Sequence, residues 1–285
     1  MIKSFVKTVV IKSVDIFYTI TMDMDGPVNS MSDAFLPLFE AMLDRLEAET
    51  ELAGVVLTSG KSTFFAGGDL NMLCEVTEET VEDFFNGMCA TKAAMRRLEK
   101  LDAPVCAAIN GAAVGIGATM TCAMDIRLAS ENAKFGFVFS RRGIVPEACS
   151  SYFLPRVVGI SQALEWAYSG RVFSAQEALA GGLVKEVLAP EALLPRAQEI
   201  AKEIAENTSA LSVTLIRHMM WRMLGADHPM EAHKIDSRGV YGTGRGPDAK
   251  EGVMSFLEKR PPAFTGKPST DMPDFFPWWD QRDFG

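Results

Sequence analysis

The fold is decided by one segment in the middle of the chain, Ile109-Asn110-Gly111-Ala112-Ala113-Val114-Gly115-Ile116-Gly117-Ala118. The apolar run over residues 104–111 predicts a buried strand that enters a tight turn. Residues 115–124 are apolar throughout and predict a helix buried on all sides. A glycine-rich turn at the start of a helix allows close backbone approach to a ligand and leaves N–H groups without intrahelical partners. Such a turn favours binding of an oxygen with negative charge.

A second glycine-rich turn precedes this segment and has the sequence Phe64-Phe65-Ala66-Gly67-Gly68-Asp69-Leu70. It follows the apolar run at residues 52–60, which predicts another buried strand. Two N–H donors that point from separate turns at one oxygen form an oxyanion hole, where a single donor is worth about 3 kcal/mol of barrier. Either turn alone is equally compatible with a purely structural role. Their occurrence together in this order favours the oxyanion hole.

Strands and helices alternate in the first part of the chain. Strands are predicted at residues 5–11, 16–22, 52–60, 104–111, 125–129 and 133–137, and helices at 32–48, 78–101 and 115–124. After Pro146 helices are predicted near residues 147–153, 160–169, 175–180, 191–207, 209–224, 228–242 and 247–259. This order predicts an α/β fold with an α-helical C-terminal part. The tail at 261–285 is rich in proline and aromatic residues, which we expect to pack on the body or on a neighbouring subunit.

Composition restricts the classes of function. The 285 residues are 48% hydrophobic with a net charge of -9, which argues against nucleic acid and anionic membranes as partners. The odd number of cysteines, without a CxxC pair, favours reduced thiols in a cytoplasmic protein. The three histidines form no metal-ligand pattern, so we expect no metal site. No apolar window is long enough for a transmembrane helix.

Two apparent nucleotide-binding motifs are incomplete. Gly60-Lys61-Ser62-Thr63 resembles the end of a phosphate loop, but Val55 stands where the first glycine is required. Gly115 and Gly117 resemble the start of a dinucleotide fingerprint, but Met120 stands in place of the third glycine. No GxSxG nucleophile elbow occurs. These patterns do not favour a nucleotide-binding or serine-hydrolase function.

Together the two glycine-rich turns resemble the enoyl-CoA hydratase/isomerase (crotonase) family. The first resembles the segment F-x-A-G-x-D-[LI] of that family, and the second resembles [IV]-N-G-x-A-x-G-x-G. The similarity extends from about Val9 to Arg260 and includes residues 125–136, 169–184 and 251–260. The resemblance implies a ββα spiral core with two roughly perpendicular sheets at residues 1–205. It also implies a C-terminal helical trimerisation region at 206–260, and homotrimers or hexamers.

The resemblance also implies the binding site for an acyl-CoA thioester. It assigns the oxyanion N–H groups to Gly68 and Ile116. It places the carbonyl of Ala66 against the adenine amine, with neighbouring CoA contacts from Gly67, Asp69 and Leu70. Phe256 and Lys259 match positions that reach the CoA of an adjacent subunit. A packed phenylalanine and a solvated lysine are the equally simple structural alternatives for these last two.

The acid/base residues depart from the pattern of hydratases. Hydratases of this family resemble one another in using two glutamates, and Thr119 and Phe139 stand at those positions here. Neither side chain can act as a general base. Glu147 follows Pro146 at the predicted start of a helix, in a segment similar to S-P-E-[GA]-C-S-S of peroxisomal-type Δ3,Δ2-enoyl-CoA isomerases, where the glutamate is the sole acid/base residue. A glutamate in the first turn of a helix is also stabilised by the helix dipole alone. Arg141 and Arg142 could pair with Glu147 or lie at the surface.

The sequence therefore predicts isomerisation of a 3-enoyl-CoA, with Glu147 moving the proton and with no cofactor beyond the CoA of the substrate. Hydration that uses Glu147 and a second group remains open. So do another reaction of the family and a non-catalytic acyl-CoA-binding role.

Overall fold

Two β-sheets form the framework of the chain. A computed structural model describes residues 6–10, 16–32, 35–50, 52–68, 77–280 and 282. The large sheet has strands β1 (Val6–Val10), β2 (Ile16–Met22), β3 (Leu52–Ser59), β5 (Val105–Ile109), β7 (Ile126–Ser130) and β10 (Glu186–Leu188), adjacent in that order. The small sheet has strands β4 (Thr63–Phe65), β6 (Ala112–Val114), β8 (Lys134–Gly136) and β9 (Val172–Ser174).

Successive segments of the chain supply one strand to each sheet. β3 is followed by β4, β5 by β6, and β7 by β8, and these successive strands pair in parallel in both sheets. The first two strands pair antiparallel, with Val6 opposite Met22. This alternation is the predicted ββα spiral, and it places the loops that follow β3 and β5 beside each other.

Helices connect and cover the sheets. Their bounds are α1 (Phe35–Ala48), α2 (Val81–Lys100), α3 (Ile116–Thr119), α4 (Ser150–Val158), α5 (Ile160–Ser169), α6 (Ala175–Ala180), α7 (Pro190–Asn207), α8 (Ala210–Met223), α9 (Pro229–Gly244), α10 (Pro247–Glu258) and α11 (Pro268–Asp271). Short 3-10 turns occupy Met120–Ala123 and Ser140–Arg142. The predicted helix at 115–124 is therefore an α-helical turn followed by a 3-10 turn, and it is buried throughout.

The large sheet is buried on both faces, which explains why its strands read as apolar runs. One face packs in the main core with Phe35, Phe39 and the small sheet. The other face packs against α7 through Leu193 and Ala197. Since both faces are covered, ligand access to this framework is left to the loops at the ends of its strands.

One predicted boundary is wrong, and the error concerns a candidate site residue. The sequence predicts a helix that starts at Glu147, whereas α4 starts at Ser150. Ala148 and Cys149 have φ values of 52° and 55°, in the left-handed region that a right-handed helix does not use. Glu147 therefore lies in a turn before the helix, outside its first turn.

The aromatic tail packs on α8. The Trp279 ring stacks on His218, with centroids 5.2 Å apart, and the Arg222 guanidinium lies 3.2 Å from the centroid of the same ring. Phe276 contacts His218 edge-on at a centroid distance of 5.2 Å. Cation–π and aromatic contacts of this kind contribute about 0.5–2 kcal/mol each. The tail is thus packed against the C-terminal half of α8 through His218 and Arg222.

Candidate active site

Two loops lie side by side at the carboxyl ends of parallel strands. We call residues 64–68 and 114–117 the loop pair. The first loop follows β3 and includes the end of β4; the second follows β5 and β6. β4 and β6 pair in parallel, with Phe65 opposite Ala113. The carboxyl ends of parallel strands are where α/β folds bind ligands, so the loop pair occupies the expected place for a site.

Glycines allow the two loops to touch. Gly67 and Gly115 have φ values of 100° and 57°, and a Cβ added to Gly67 would lie 3.0 Å from the carbonyl oxygen of Val114. A Cβ on Gly117 would lie 2.2 Å from the carbonyl oxygen of Phe65, far inside van der Waals contact. The glycines found in the sequence are therefore needed for two backbones to pack directly together.

Gly68 and Ile116 differ in exposure but share a property of their amides. Within the described part of the chain, neither N–H donates to a backbone or side-chain acceptor. Nearby N–H groups are used: Gly115 donates to the Gly136 carbonyl at 2.9 Å, and Ala118 donates to the Gly115 carbonyl at 2.9 Å. Gly68 is exposed, and a Cβ there would meet no atom within 4 Å. The loop pair thus opens to solvent on the side of Gly68.

Asn29 holds the first loop, although its sequence position does not suggest a site. Its side chain is fully buried, accepts from the Met24 N–H at 2.9 Å, and donates to Ser59 Oγ at 2.8 Å and to the Phe64 carbonyl at 3.2 Å. The Asn29 carbonyl in turn accepts from the Ala66 N–H at 2.7 Å. The polar atoms of one residue therefore fix the backbone from Phe64 to Ala66. Proximity to Pro27, in a loop that precedes a helix, is too common a pattern to have identified it.

Glu147 reaches the second loop through Thr119. The Thr119 hydroxyl donates to Glu147 Oε1 at 2.5 Å. Thr119 is the last residue of α3, which begins at Ile116, so its backbone lies about 4.5 Å along the helix axis from that residue. The two consecutive left-handed residues after Glu147 are a strained conformation, costing about 1–3 kcal/mol each. The structure thus brings Glu147 into contact with α3, the helix that begins at Ile116.

The electrostatic surroundings of Glu147 include the buried thiol of Cys122. Burial raises the pKa of Cys122 to about 12; nearby Arg127 opposes this rise and the charge of Glu147 adds to it. Arg141 donates to the Ser169 carbonyl at 2.8 Å, and Arg142 to the Arg141 carbonyl at 3.4 Å. Both arginines are exposed and bind backbone carbonyls. Of the two roles the sequence left open for them, the structure shows the surface one.

Comparison with known proteins now identifies the family. The model of the enoyl-CoA hydratase/isomerase family matches residues 16–267. The chain belongs to the enoyl-CoA hydratase/isomerase family. It is 37% identical to the enoyl-CoA hydratase ACTT3 of Alternaria alternata over 237 residues, which is 83% of this chain and 78% of that protein. It is also 33% identical to the 1,2-epoxyphenylacetyl-CoA isomerase of Escherichia coli K12 over 258 residues, 87% and 95% of the two chains.

Solved structures agree with this assignment. The crystal structure of an enoyl-CoA hydratase from Bacillus anthracis superposes with a TM-score of 0.82 at 31% identity, over 90% of this chain and 98% of that one. The predicted crotonase fold is confirmed, and the chain is an acyl-CoA enzyme of the enoyl-CoA hydratase/isomerase family.

The residues predicted to contact CoA differ in their exposure. Ala66 is exposed and Gly67 is buried in the loop pair, while Asp69 and Leu70 lie outside the described residues. Phe256 is 82% exposed on α10. Lys259 is exposed and ends α10 in the left-handed conformation, with φ 54°. In a single chain the structure therefore does not bring Phe256 and Lys259 into contact with the loop pair.

Among the described residues, no helix combines the length and the apolar character that crossing a bilayer requires. The same part of the chain contains no group of three or more histidine, cysteine, aspartate or glutamate side chains arranged to hold a metal ion.

Proposed function

We propose that this enzyme isomerises 3-enoyl-CoA to 2-enoyl-CoA, with Glu147 as its sole acid/base residue. The observation that carries the proposal is the 2.5 Å hydrogen bond from Thr119 to Glu147. It places one carboxylate next to the α3 turn. At the two positions where hydratases of the family use glutamates, this chain has Thr119 and Phe139. One carboxylate is sufficient for a proton shift, whereas it leaves water without the second group that hydration uses.

The amides of Gly68 and Ile116 would stabilise the negative oxygen. The loops that carry them are in backbone contact, since a Cβ on Gly115 would lie 3.6 Å from Gly67 Cα. Both N–H groups are available as donors within the described residues. Because α3 is only four residues long, its dipole adds little, and the two directed hydrogen bonds supply most of the stabilisation.

The proton shift balances with these groups alone. Glu147 removes a proton from C2, and the C2–H electron pair moves toward the thioester carbonyl, so that its oxygen becomes negative between the two amides. The resulting dienolate extends from C1 to C4. Protonation of C4 by the same carboxyl group returns Glu147 to the carboxylate and leaves the double bond between C2 and C3. No external oxidant, reductant or second base is needed.

CoA binding would involve both the first loop and a neighbouring subunit. We propose that Ala66, Gly67, Asp69 and Leu70 contact the nucleotide end of CoA, and that Phe256 and Lys259 reach the CoA of an adjacent subunit. The exposure of Phe256 in the single chain supports a partner there. We also propose that the enzyme is a homotrimer or hexamer in the cytoplasm. It needs no cofactor other than the CoA of the substrate.

Hydration is the second candidate, because several of the similar proteins are named enoyl-CoA hydratases. It would require Glu147 and a second group to hold water. Other reactions of the family, and acyl-CoA binding without turnover, are further outcomes that the same assay separates.

The test is a side-by-side assay of 3-enoyl-CoA and 2-enoyl-CoA with the wild-type chain and Glu147→Gln. Isomerase chemistry predicts turnover of the 3-enoyl substrate, lowered about 10²–10⁴-fold by the substitution, because general acid/base catalysis contributes about that factor. CoA thioester affinity should change by less than about threefold, since the carboxylate acts mainly in the transition state.

The matched control is Glu131→Gln, which removes an exposed carboxylate of the same type. Its turnover should equal that of the wild type. Faster hydration of 2-enoyl-CoA than isomerisation would favour the second candidate. Unchanged turnover in Glu147→Gln would remove Glu147 from the mechanism.

A further inference from the structure

The Thr119 hydroxyl faces two acceptors with one proton. Its oxygen lies 2.5 Å from Glu147 Oε1 and 3.3 Å from the carbonyl oxygen of Gly115. Thr119 is fully buried, so water does not supply an alternative partner at its surface. A hydroxyl can donate only one strong hydrogen bond at a time. While Glu147 is a carboxylate, its charge and the shorter distance hold the proton on the Glu147 side.

The second acceptor belongs to the peptide group that supplies the proposed oxyanion donor. The Gly115 carbonyl and the Ile116 N–H are the two ends of one planar, conjugated unit. A hydrogen bond accepted by the carbonyl polarises the unit and strengthens its N–H as a donor, by about 10–30% in condensed-phase estimates. This carbonyl already accepts from Ala118 N–H at 2.9 Å and Thr119 N–H at 3.0 Å. A hydrogen bond from the Thr119 hydroxyl would therefore add to two backbone hydrogen bonds that the Gly115 carbonyl already accepts, and would change the donor strength of the Ile116 N–H.

We propose that Thr119 is a positioning residue that couples the protonation of Glu147 to the strength of the Ile116 oxyanion donor; this inference rests on the proposed function. When the C2–H bond breaks, the proton passes to Glu147 and the electron pair to the thioester oxygen. A neutral carboxyl group attracts the Thr119 proton less and can donate to its oxygen instead. The hydroxyl then turns to the Gly115 carbonyl. The N–H of Ile116 becomes a better donor at the stage when the thioester oxygen is negative. When C4 takes the proton, Glu147 is again a carboxylate and the Thr119 hydroxyl again donates to it.

The coupling explains why a buried hydroxyl is placed here. A valine of equal shape would fill the same space. It would leave no unsatisfied carbonyl at Gly115, because two backbone N–H groups remain bonded to it. A purely structural role, in which Thr119 only holds Glu147, predicts that Thr119→Val lowers stability without a selective effect on kcat. Coupling predicts a selective loss in the chemical step.

The experiment compares Thr119→Val and Thr119→Ser in the full-length chain, with 3-enoyl-CoA as substrate. Because a 10–30% weaker donor loses that share of the stabilisation that one oxyanion hydrogen bond supplies, Thr119→Val should lower kcat about 2–5-fold while KM changes less than about 1.5-fold. Thr119→Ser keeps the hydroxyl and should restore kcat to within about 1.5-fold of the wild type. Melting temperatures establish that both variants are folded, and Thr119→Ala replaces valine if that variant is not. Wild-type kcat in Thr119→Val, or a change confined to KM, would overturn the coupling.

A spectroscopic measurement isolates the oxyanion stage from turnover. Bound acetoacetyl-CoA forms an enolate with near-ultraviolet absorbance, and Thr119→Val should lower the equilibrium constant for enolate formation about 2–5-fold. Butyryl-CoA, which does not form an enolate as readily, should bind the variant and the wild type equally. Equal enolate fractions in the two proteins would refute the coupling.

The Glu147→Gln result separates this inference from the proposed function. If that substitution abolishes turnover while Thr119→Val changes neither kcat nor the enolate fraction, the coupling fails and the proposed function stands. If Glu147→Gln leaves turnover unchanged, the proposed function fails. In the double variant the Thr119 effect should disappear, because it acts through Glu147; additive losses would also count against the coupling.

Discussion

The loop pair and helix α10 present opposite kinds of surface. In the loop pair, backbones touch through glycines and an asparagine is buried to hold them. In α10 the buried residues are Asp248 and Ser255, while Phe256 is 82% exposed and Leu257 is 66% exposed. The Asp248 carboxylate accepts from Ser209 Oγ at 2.6 Å and from the Thr265 N–H at 2.9 Å. The loop pair is held by contacts within a single chain, whereas α10 buries polar residues and exposes apolar ones.

The proposed catalytic groups and the proposed CoA-binding residues of α10 are therefore held in different ways. The proposed oxyanion donors and Glu147 are held by contacts that one chain supplies. The proposed CoA contacts of α10 depend on what covers the exposed stripe. Substitutions that break the packing of the loop pair should therefore lower stability and turnover together, whereas those in α10 should affect CoA binding more than turnover.

The largest effect is expected from Gly117→Ala. The added Cβ would lie 2.2 Å from the Phe65 carbonyl oxygen and 2.8 Å from Phe65 Cβ, so the backbones must separate. We expect the free energy of unfolding to fall by at least about 3 kcal/mol and turnover by at least about 100-fold. Denaturant unfolding and a steady-state assay measure the two. Gly87→Ala in α2 is the control, with no atom within 4 Å of its Cβ and an expected gain of about 1 kcal/mol.

Asn29→Ala should have the next largest effect. It leaves the Met24 N–H and Phe64 carbonyl without their partner and loosens the first loop. The expected loss is about 2–4 kcal/mol in the free energy of unfolding, with turnover about tenfold lower as the loop moves. Ser30→Ala, at the neighbouring half-buried position, should stay within about 0.5 kcal/mol of the wild type. Equal stability of the two variants would contradict the role of Asn29 as the support of the loop.

Lys259→Gly should have the smallest effect on stability, and it is expected to raise stability while it weakens CoA binding. Lys259 ends α10 at φ 54°, where glycine is preferred. Relief of about 1–2 kcal/mol of left-handed strain exceeds the cost of about 0.4–1 kcal/mol from a more flexible unfolded chain. Stability should therefore rise by about 0.5–1 kcal/mol, while KM for the CoA thioester rises about 3–10-fold through loss of the cation. A more stable variant with unchanged KM would make Lys259 a solvated helix end.

Much of the loop pair could be predicted from the sequence, because glycine patterns report local steric demands. Gly115 and Gly117 stand between an apolar strand and an apolar helix, and this order is sufficient to predict the turn. The start of α4 was not predictable in the same way. The sequence Pro146-Glu147-Ala148-Cys149 contains no residue type that favours the left-handed conformation at Ala148 or Cys149. That conformation therefore depends on tertiary packing, because local helical propensity does not predict it.

By itself the sequence determined most of the helices, most strands of the large sheet and the two glycine-rich turns, since neighbouring residues encode each of them. It did not predict the short strands β4, β6, β9 and β10. Only the tertiary structure decided that Thr119 meets Glu147, that Asn29 supports the Phe64–Ala66 backbone, and that α10 turns its apolar stripe outward. These are contacts between segments far apart in the chain. Their geometry depends on how the whole core packs, which periodicity and local propensity do not specify.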